Sequence, residues 1–331
     1  MREITAGERR YIYILKSIAI FCVVCAHLYP VPEDTTTINM AFSDILHYLG
    51  TGGVPGFFIV SGFLFAGNTK SFKDFWKTKV ISVMIPWFFC YTLLYFYVTI
   101  RKGGFSIIGL LQTIFGYYSS AYYLTILMFF YFIFWFIKNE TALYAIGGIS
   151  LFSIICTGWE IGINFLNDWC GTYYLNPLNW GIFFIVGMLL RRADKSIRFV
   201  SFKYCPIFVG LSIIYYVVMH IMDESIWYFS KYALIGNVIN IGLLFTLAGF
   251  LEKYKTDVIS EVGKSSYTIY LTNQFLAGLL ILITNHIPFT VFTLARPFLL
   301  IICIMIAIKI LTAFLGDRGK LIYGLLGMGR R

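Results

Sequence analysis

Long apolar runs separated by short polar segments make up nearly the whole chain. Ten runs have the character of membrane spans, which need about 20 mostly apolar residues each. They cover residues 11–30, 45–66, 81–100, 121–137, 142–157, 176–190, 206–222, 232–251, 265–284 and 291–313. A further apolar stretch at 105–118 is too short to span, so it is expected to lie in the interface or re-enter. The pattern predicts an all-α integral membrane protein, one domain over residues 1–331 with no separate soluble domain.

The basic residues fall mainly in alternate loops. With the N-terminus inside, 22 of the 26 lysines and arginines lie on the inner side. The loops on the other side carry acidic residues instead, including Glu33, Asp34, Glu160 and Asp168. Because cytoplasmic loops are enriched in lysine and arginine, this asymmetry predicts about ten transmembrane helices, with cytoplasmic N- and C-termini.

The overall composition agrees with a membrane location. Hydrophobic residues make up 59% of the chain and charged residues only 13%, whereas a soluble domain is about one quarter charged. The net charge of +10 suits contact with anionic lipids of the cytoplasmic leaflet, so no nucleic-acid partner is predicted. The C-x-x-C pattern at 22–25 lies within the first apolar run, and we interpret both cysteines as small apolar filler.

Two strongly polar groups interrupt the first span, "LKSIAIFCVVCAH". Lys16 and His27 are 11 residues apart, which on an α-helix is three turns plus roughly 20° and about 16 Å along the axis. Ionisable groups within spans are costly and point to function. One helix face therefore suits a long anionic ligand that enters from the cytoplasm with its reactive end near His27. The structural alternative is that Lys16 snorkels to the headgroups and His27 caps the helix.

The second span is glycine-rich and contains a proline. Its sequence, "GTGGVPGFFIVSGFLFAG", covers residues 50–67 and includes Pro55. Glycine allows close backbone approach and proline interrupts the helical hydrogen bonds. Such broken backbone is tolerated at membrane depth where it lines a cavity in the protein. A cationic segment, "KSFKDFWKTKVISVMIP", follows and leads to Pro86.

Five motifs in this order resemble acyltransferase family 3, the polytopic membrane O-acyltransferases of bacterial surface polysaccharides. The first is Lys16 with His27, and the second is "GVPGFFIVSGFL". Three others follow: "AYYLTILMFFYF", "NWGIFFIVGMLLRR" and "VGKSSYTIYLTNQF". The chain departs from the family pattern at three positions. Lys16 replaces the commoner arginine, Tyr122 stands where tryptophan is usual, and Asn273 stands at the usual histidine.

The resemblance implies an activity and its substrates. The donor is expected to be acyl-CoA, most often acetyl-CoA, held by the cationic residues Lys16, Lys77 and Lys79. The acceptor is expected to be a hydroxyl of a saccharide or cell-envelope glycan, lipid-linked or free, at the outer face of the bacterial plasma membrane. For the loop lysines, the alternative is that they serve membrane topology alone.

The chemistry of acyl transfer and the resemblance together suggest roles for the remaining residues. His27, whose ordinary pKa lies near 6.5, is the predicted general base for the acceptor hydroxyl, and a covalent acyl-enzyme is the alternative. Substrate or tunnel contacts are expected at Gly53, Ser61, Tyr122 and Asn273, and Asp44 is expected to orient an imidazole.

Other interpretations remain open at this stage. A transporter or flippase of a lipid-linked saccharide or acylated metabolite would also use broken helices and a polar midplane, and a structural partner is a third option. His47, His220 and His286 are expected to be structural. No HExxH pattern or carboxylate cluster is present in the sequence, so no metal is predicted. The sequence leaves the oligomeric state open.

Overall fold

The computed structural model describes residues 3–27, 37–161, 164–254, 257–284 and 290–328, the side chains of 37–39, 101–102, 164–166, 279–284 and 290–293 excepted. Over these ranges the secondary structure is helical and contains no strand. The α-helices are α1 (Ala6–His27), α2 (Thr37–Gly50), α3 (Gly53–Ala66), α4 (Phe72–Lys79), α5 (Ile85–Lys102), α6 (Ile107–Phe115), α7 (Tyr122–Phe136), α8 (Glu140–Gly158), α9 (Asn164–Trp169), α10 (Leu178–Arg192), α11 (Cys205–Ile221), α12 (Ala233–Glu252), α13 (Asp257–Lys264), α14 (Ser266–Thr284), α15 (Thr290–Leu315) and α16 (Lys320–Leu325).

The all-helical prediction is confirmed for the residues that the structure describes. The helices that correspond to the ten predicted spans are of unequal length. Within that part of the chain, seven helical segments are long and apolar enough to cross a membrane. They are Ala6–His27, Met40–Ala66, Phe72–Ile100, Glu140–Gly158, Phe202–Ile221, Ala233–Glu252 and Leu294–Leu325. Two of the other predicted spans are the 15-residue helices α7 and α10, and the third is α14. The short stretch at 105–118 contains α6.

α1 is the central helix of the fold. It begins with a reciprocal cap in which the Glu8 amide donates to Thr5 Oγ1 (3.2 Å) and the Thr5 amide donates to Glu8 Oε2 (3.4 Å), the pattern of a capping box. From this start it runs unbroken to His27. Six helices pack against it, namely α2, α3, α12, α13, α14 and α15. Lys16 and His27 therefore lie on one continuous helix surrounded by the rest of the protein.

The predicted break in the second span occurs before the proline. α2 ends at Gly50 and α3 begins at Gly53, with a turn between them in which the Thr51 amide donates to the Tyr48 carbonyl (3.1 Å). Pro55 lies in the first turn of α3, where its missing N–H leaves no helical hydrogen bond unmade. The helix is therefore interrupted at the glycines of residues 50–53 and not at Pro55.

The cationic segment after α3 forms its own helix. Ser71 caps α4 by accepting a hydrogen bond from the Asp74 amide (3.2 Å). A π-helical stretch, Val80–Met84, then joins α4 to α5. Because Pro86 is in the first turn of α5, it is compatible with a continuous helical path. This arrangement brings α4 beside α3 and α7, where the Phe75 ring contacts the rings of Phe65 and Tyr131.

Candidate functional site

A cavity of about 420 Å³ opens beside Lys16, and we name it the lysine cavity. Three lysines line it, and none of its lining residues is an aspartate or glutamate. The remaining polar lining consists of hydroxyl and amide groups. The lining residues are Lys16, Phe57, Ser61, Leu64, Phe65, Asn68, Lys70, Phe75, Thr78, Lys79, Val83, Tyr123, Leu124, Leu127, Tyr131, Ser266, Tyr267 and Tyr270. Its charge suits an anionic ligand.

The three lysines reach the lysine cavity from separate elements. Lys16 comes from the middle of α1, Lys70 from the loop before α4, and Lys79 from the last turn of α4. Lys16 and Lys79 are close enough to interact electrostatically. The Lys79 ammonium is fixed over the Tyr131 ring, 4.5 Å from its centroid, and Lys70 Nζ donates to Thr78 Oγ1 (3.0 Å). Two of the cations are thus held in place by neutral partners.

Two of the residues predicted for ligand contact are replaced in the lining of the lysine cavity by a nearby residue of the same helix. Lys77 is exposed on α4 and does not line the cavity, whereas Lys79 does. Tyr122 is buried, with its ring stacked on that of Trp180 at 5.7 Å between centroids. The next residue, Tyr123, lines the cavity and forms a hydrogen bond (3.3 Å) with the predicted Ser61. A side chain turns by about 100° with each residue along a helix. Tyr123 therefore faces a different direction from Tyr122, and Lys79, two residues on, faces a different direction from Lys77.

Gly53 lies against the helix face that joins Lys16 to His27. A Cβ atom at Gly53 would come within 2.7 Å of the Ala19 carbonyl oxygen and 2.9 Å of the Val23 amide nitrogen. Val23 is on the same stripe of α1 as the two polar residues, since it lies about −20° from Lys16. The role of Gly53 in this structure is therefore close packing of α3 on α1, between the cation and the imidazole.

The predicted Asn273 lies on α14 beside a residue of the lysine cavity. Its side chain is fully buried, and Nδ2 donates to the carbonyl of Tyr270 (2.6 Å), a residue of the lysine cavity. Its Oδ1 atom is buried with no hydrogen-bond partner. Asn273 lines neither the lysine cavity nor any other cavity described here, but an unpaired buried acceptor costs free energy that a hydroxyl or amide donor brought beside it would recover.

His27 lies about 16 Å from Lys16 along the axis of α1, and it does not line the lysine cavity. It is close enough to His47 of α2 to interact with it electrostatically. His47 in turn lies against Trp227, with 3.7 Å between ring centroids. The far end of α1 therefore meets a second polar surface, made by α2 and the loop between α11 and α12.

A second cavity, of about 460 Å³, lies at this end of the molecule, and we name it the outer pocket. Its lining combines aromatic rings, imidazoles and carboxylates: Asp44, His47, Tyr216, His220, Glu224, Ser225, Ile226 and Trp227. The predicted Asp44 is thus placed beside imidazoles, and it interacts electrostatically with His220. His47 and His220, which the sequence analysis interpreted as structural, both line this pocket.

The C-terminal end of α2, the helix that carries Asp44 and His47, is held by hydrogen bonds from other elements. Asn240 Nδ2 donates to the Tyr48 carbonyl (3.0 Å) and to Thr51 Oγ1 (2.8 Å). The Tyr228 hydroxyl donates to the Gly50 carbonyl (3.1 Å). The carbonyls freed where α2 ends are therefore satisfied by side chains from outside the helix, and α2 is held in a defined position beside Trp227.

Several residues that line the two cavities are not predicted from the sequence as ligand contacts. They are Lys70, Tyr123, Tyr131, Tyr267, Tyr270 and Trp227. A spacing signal existed for α7, because Tyr123, Leu127 and Tyr131 recur at every fourth residue. Tyr267 and Tyr270 likewise share a face of α14. Nothing in the sequence around Lys70 or Trp227 indicates which residue they meet.

The described residues contain no group of three or more histidine, cysteine, aspartate or glutamate side chains that could hold a metal ion. All seven cysteines are described and unpaired, with Cys22 and Cys25 buried in α1. His286, Glu33 and Asp34 lie outside the described residues.

Comparison with known proteins identifies one family. The model of acyltransferase family 3, described as an acyltransferase domain, matches residues 9–314. No curated protein and no solved structure matches the chain. The matched range contains both cavities and the whole of the Lys16–His27 face.

Proposed function

The chain belongs to acyltransferase family 3, and we propose that it is an O-acyltransferase that uses acyl-CoA. The family and the seven apolar helices make it a multi-pass membrane acyltransferase. We further propose acetyl as the acyl group, a hydroxyl of a saccharide or cell-envelope glycan as the acceptor, and the bacterial plasma membrane as the location. In this proposal about ten helices cross the membrane, and both termini are cytoplasmic.

The distribution of polar groups along α1 carries this proposal. One end of its polar face supplies a cation to a cavity that no carboxylate lines. The other end supplies an imidazole beside a pocket lined by carboxylates, imidazoles and aromatic rings. Acyl transfer across a membrane needs such a division, because the donor is an anion made in the cytoplasm and the acceptor is a neutral alcohol outside.

The donor's phosphates are assigned to the lysine cavity. Lys16, Lys70 and Lys79 supply point charges there, and lysine binds phosphate through such charges rather than through a bidentate fork. Lys77 is exposed on α4, and in this proposal it contacts the donor only at the entrance of the lysine cavity. The thioester arm then extends along α14, past Tyr270 and the unpaired Asn273 oxygen, towards His27.

His27 acts on the acceptor hydroxyl as the general base. Its imidazole accepts the hydroxyl proton while the hydroxyl oxygen attacks the thioester carbonyl. The tetrahedral oxyanion then collapses, the C–S bond breaks, and the leaving thiolate takes the proton from the imidazolium. The products are the O-acyl ester and free CoA thiol, and His27 is neutral again. Direct transfer needs no acyl-enzyme intermediate.

The test is the activity of His27→Ala and His27→Gln at matched membrane abundance. Transfer is measured in two ways. Membranes are supplied with radiolabelled acetyl-CoA and the transfer of label is followed, and O-acetyl groups on the surface glycans of the host cells are measured by NMR. Both variants should lose at least about 10²-fold in transfer while they still bind labelled acetyl-CoA. Undiminished acetylation in His27→Gln would remove the assigned base. A wild-type protein that transfers no acyl group would instead favour a transporter or flippase of a saccharide or acylated metabolite.

A further inference from the structure

We propose that the outer pocket binds an uncharged sugar ring of the acceptor, with Trp227 as its stacking platform. This inference rests on the proposed acyl transfer and adds a site and a ligand class to it. The pocket is separate from the lysine cavity, since the two share no lining residue.

Trp227 presents a rigid aromatic surface in the outer pocket. Its ring is packed on the imidazole of His47 at 3.7 Å, and its indole N–H donates to the hydroxyl of Tyr174. Tyr216 supplies a second ring in the lining. Large flat side chains that are already immobilised lose little conformational entropy on binding. The apolar C–H face of a pyranose can pack on such a ring, while its hydroxyls remain free for hydrogen bonds.

The polar lining matches hydroxyl donors. Asp44 and Glu224 supply carboxylate oxygens, which accept hydrogen bonds only, and Ser225 and His220 supply groups that can donate or accept. Glu224 is tied to Lys231 (3.1 Å), whose pKa is raised by the hydrogen bond to this carboxylate and by its charge. Lys231 therefore remains an ammonium at physiological pH and holds Glu224 in place.

The charge of the outer pocket selects against anionic sugars. Two carboxylates line it, and its lining contains no lysine or arginine. Because Glu224 is paired with Lys231, Asp44 is the carboxylate that a uronic acid or sugar phosphate would face, and placing these like charges together costs binding free energy. The lysine cavity has the opposite character. The two cavities therefore sort an anionic donor and an uncharged acceptor to opposite ends of α1.

The position of the outer pocket fits delivery of a hydroxyl to His27. His47 belongs to the pocket lining and also interacts electrostatically with His27. A ring stacked on Trp227 is thus one imidazole away from the proposed base. Asn240 and Tyr228, through their bonds to the end of α2, fix the distance between this ring and α1.

The experiment uses the full-length protein in lipid nanodiscs and saturation-transfer NMR. The probes are neutral methyl hexopyranosides (glucose, galactose, mannose and N-acetylglucosamine) and the matched methyl glucuronide and galacturonide. At least one neutral glycoside should bind, more tightly than either uronide. Trp227→Ala should weaken that binding about tenfold, the loss of one good stacking contact. Trp169→Ala, which removes an 85% exposed tryptophan outside the pocket, should leave it unchanged.

A second measurement separates this inference from the proposed function. In membranes that acetylate host glycans, Trp227→Ala should lower glycan acetylation about tenfold, and binding of labelled acetyl-CoA should match wild type. Normal acetylation by Trp227→Ala would overturn the sugar site and leave the acyltransferase intact. Tighter binding of a uronide, or no binding of any neutral glycoside, would also overturn it. A wild type that cannot use acetyl-CoA at all would overturn the proposed function itself.

Discussion

Gly62 of α3 and Gly187 of α10 each lie directly against the backbone of the other's helix. A Cβ atom at Gly62 would come within 2.0 Å of the Phe184 carbonyl oxygen, and one at Gly187 within 2.0 Å of the Ile59 carbonyl oxygen. Small residues allow membrane helices to approach this closely. The contact sets the position of α3, which carries Ser61 into the lysine cavity and Gly53 onto α1.

Alanine at either glycine should therefore force α3 and α10 apart. We expect Gly62→Ala and Gly187→Ala each to destabilise the protein by about 1–3 kcal/mol, the usual cost of overpacking. Gly148→Ala in α8 is the matched control, because a Cβ there meets nothing within 4 Å. Alanine favours the helix by about 1 kcal/mol over glycine, so this control should be neutral or stabilising.

Thermal unfolding in detergent, followed by fluorescence-detected size exclusion, measures these changes. Equal melting temperatures for Gly62→Ala and Gly148→Ala would contradict the close approach of the two helices.

Lys79 and Lys77 should differ in their effect on donor binding. Lys79 lines the lysine cavity and is fixed over Tyr131, whereas Lys77 is exposed outside it. We expect Lys79→Ala to raise the Kd for acetyl-CoA about tenfold and Lys77→Ala about twofold or less, because exposed charges are screened by salt. Isothermal titration at two salt concentrations provides the measurement. Equal losses would favour a donor held at the outer surface of α4.

Lys16 should be replaceable by arginine but not by a neutral residue. Its cation serves a cavity that already contains Lys70 and Lys79, and an arginine preserves the charge and can bind phosphate bidentately. We expect Lys16→Arg to retain acetyl-CoA binding and Lys16→Met to weaken it at least about tenfold. The same titration checks both variants. Wild-type binding by Lys16→Met would support the alternative in which this lysine only snorkels.

Asn240 should act on transfer through the position of α2. It donates to both Tyr48 and Thr51, and its replacement by alanine removes both bonds, each worth about 0.5–1.5 kcal/mol; the Tyr48 carbonyl still accepts from the Thr51 amide and hydroxyl. We expect Asn240→Ala to lower acetyl transfer while acetyl-CoA binding is retained, because the lysine cavity contains none of these residues. Thr51→Ala removes the bond from Asn240 and the bond from its own hydroxyl to the Tyr48 carbonyl. It leaves the direct Asn240–Tyr48 bond in place, so it should give a smaller loss.

Purified protein in nanodiscs, assayed for donor binding and transfer in parallel, separates the two effects of Asn240→Ala. An equal loss of both activities would indicate general unfolding rather than movement of α2.

The sequence predicts the helices, while the number that cross the membrane stays a prediction. Apolar runs indicate helices well, because a segment in lipid must satisfy its backbone hydrogen bonds internally. Run length alone does not separate a spanning helix from a buried one. For this reason residues 121–137 and 176–190 meet the sequence criterion, although α7 and α10 are only 15 residues long.

The sequence also indicates the polar face of α1, since Lys16 and His27 lie on one unbroken helix whose geometry is local. It leads to the segments of α4 and α7 that line the lysine cavity, without separating Lys77 from Lys79 or Tyr122 from Tyr123. That choice depends on how each helix is rotated against its neighbours, which nothing within the helix specifies.

By itself, then, the sequence determined the apolar helices, the basic asymmetry of the loops and the 11-residue spacing of Lys16 and His27. All of these depend on residues near one another in the chain. Only the tertiary structure decided that Lys70 joins Lys16, and that Asp44 meets His220 and Trp227 in one pocket. These partners are far apart in sequence, and they meet because glycine contacts and side-chain caps set the distances between helices.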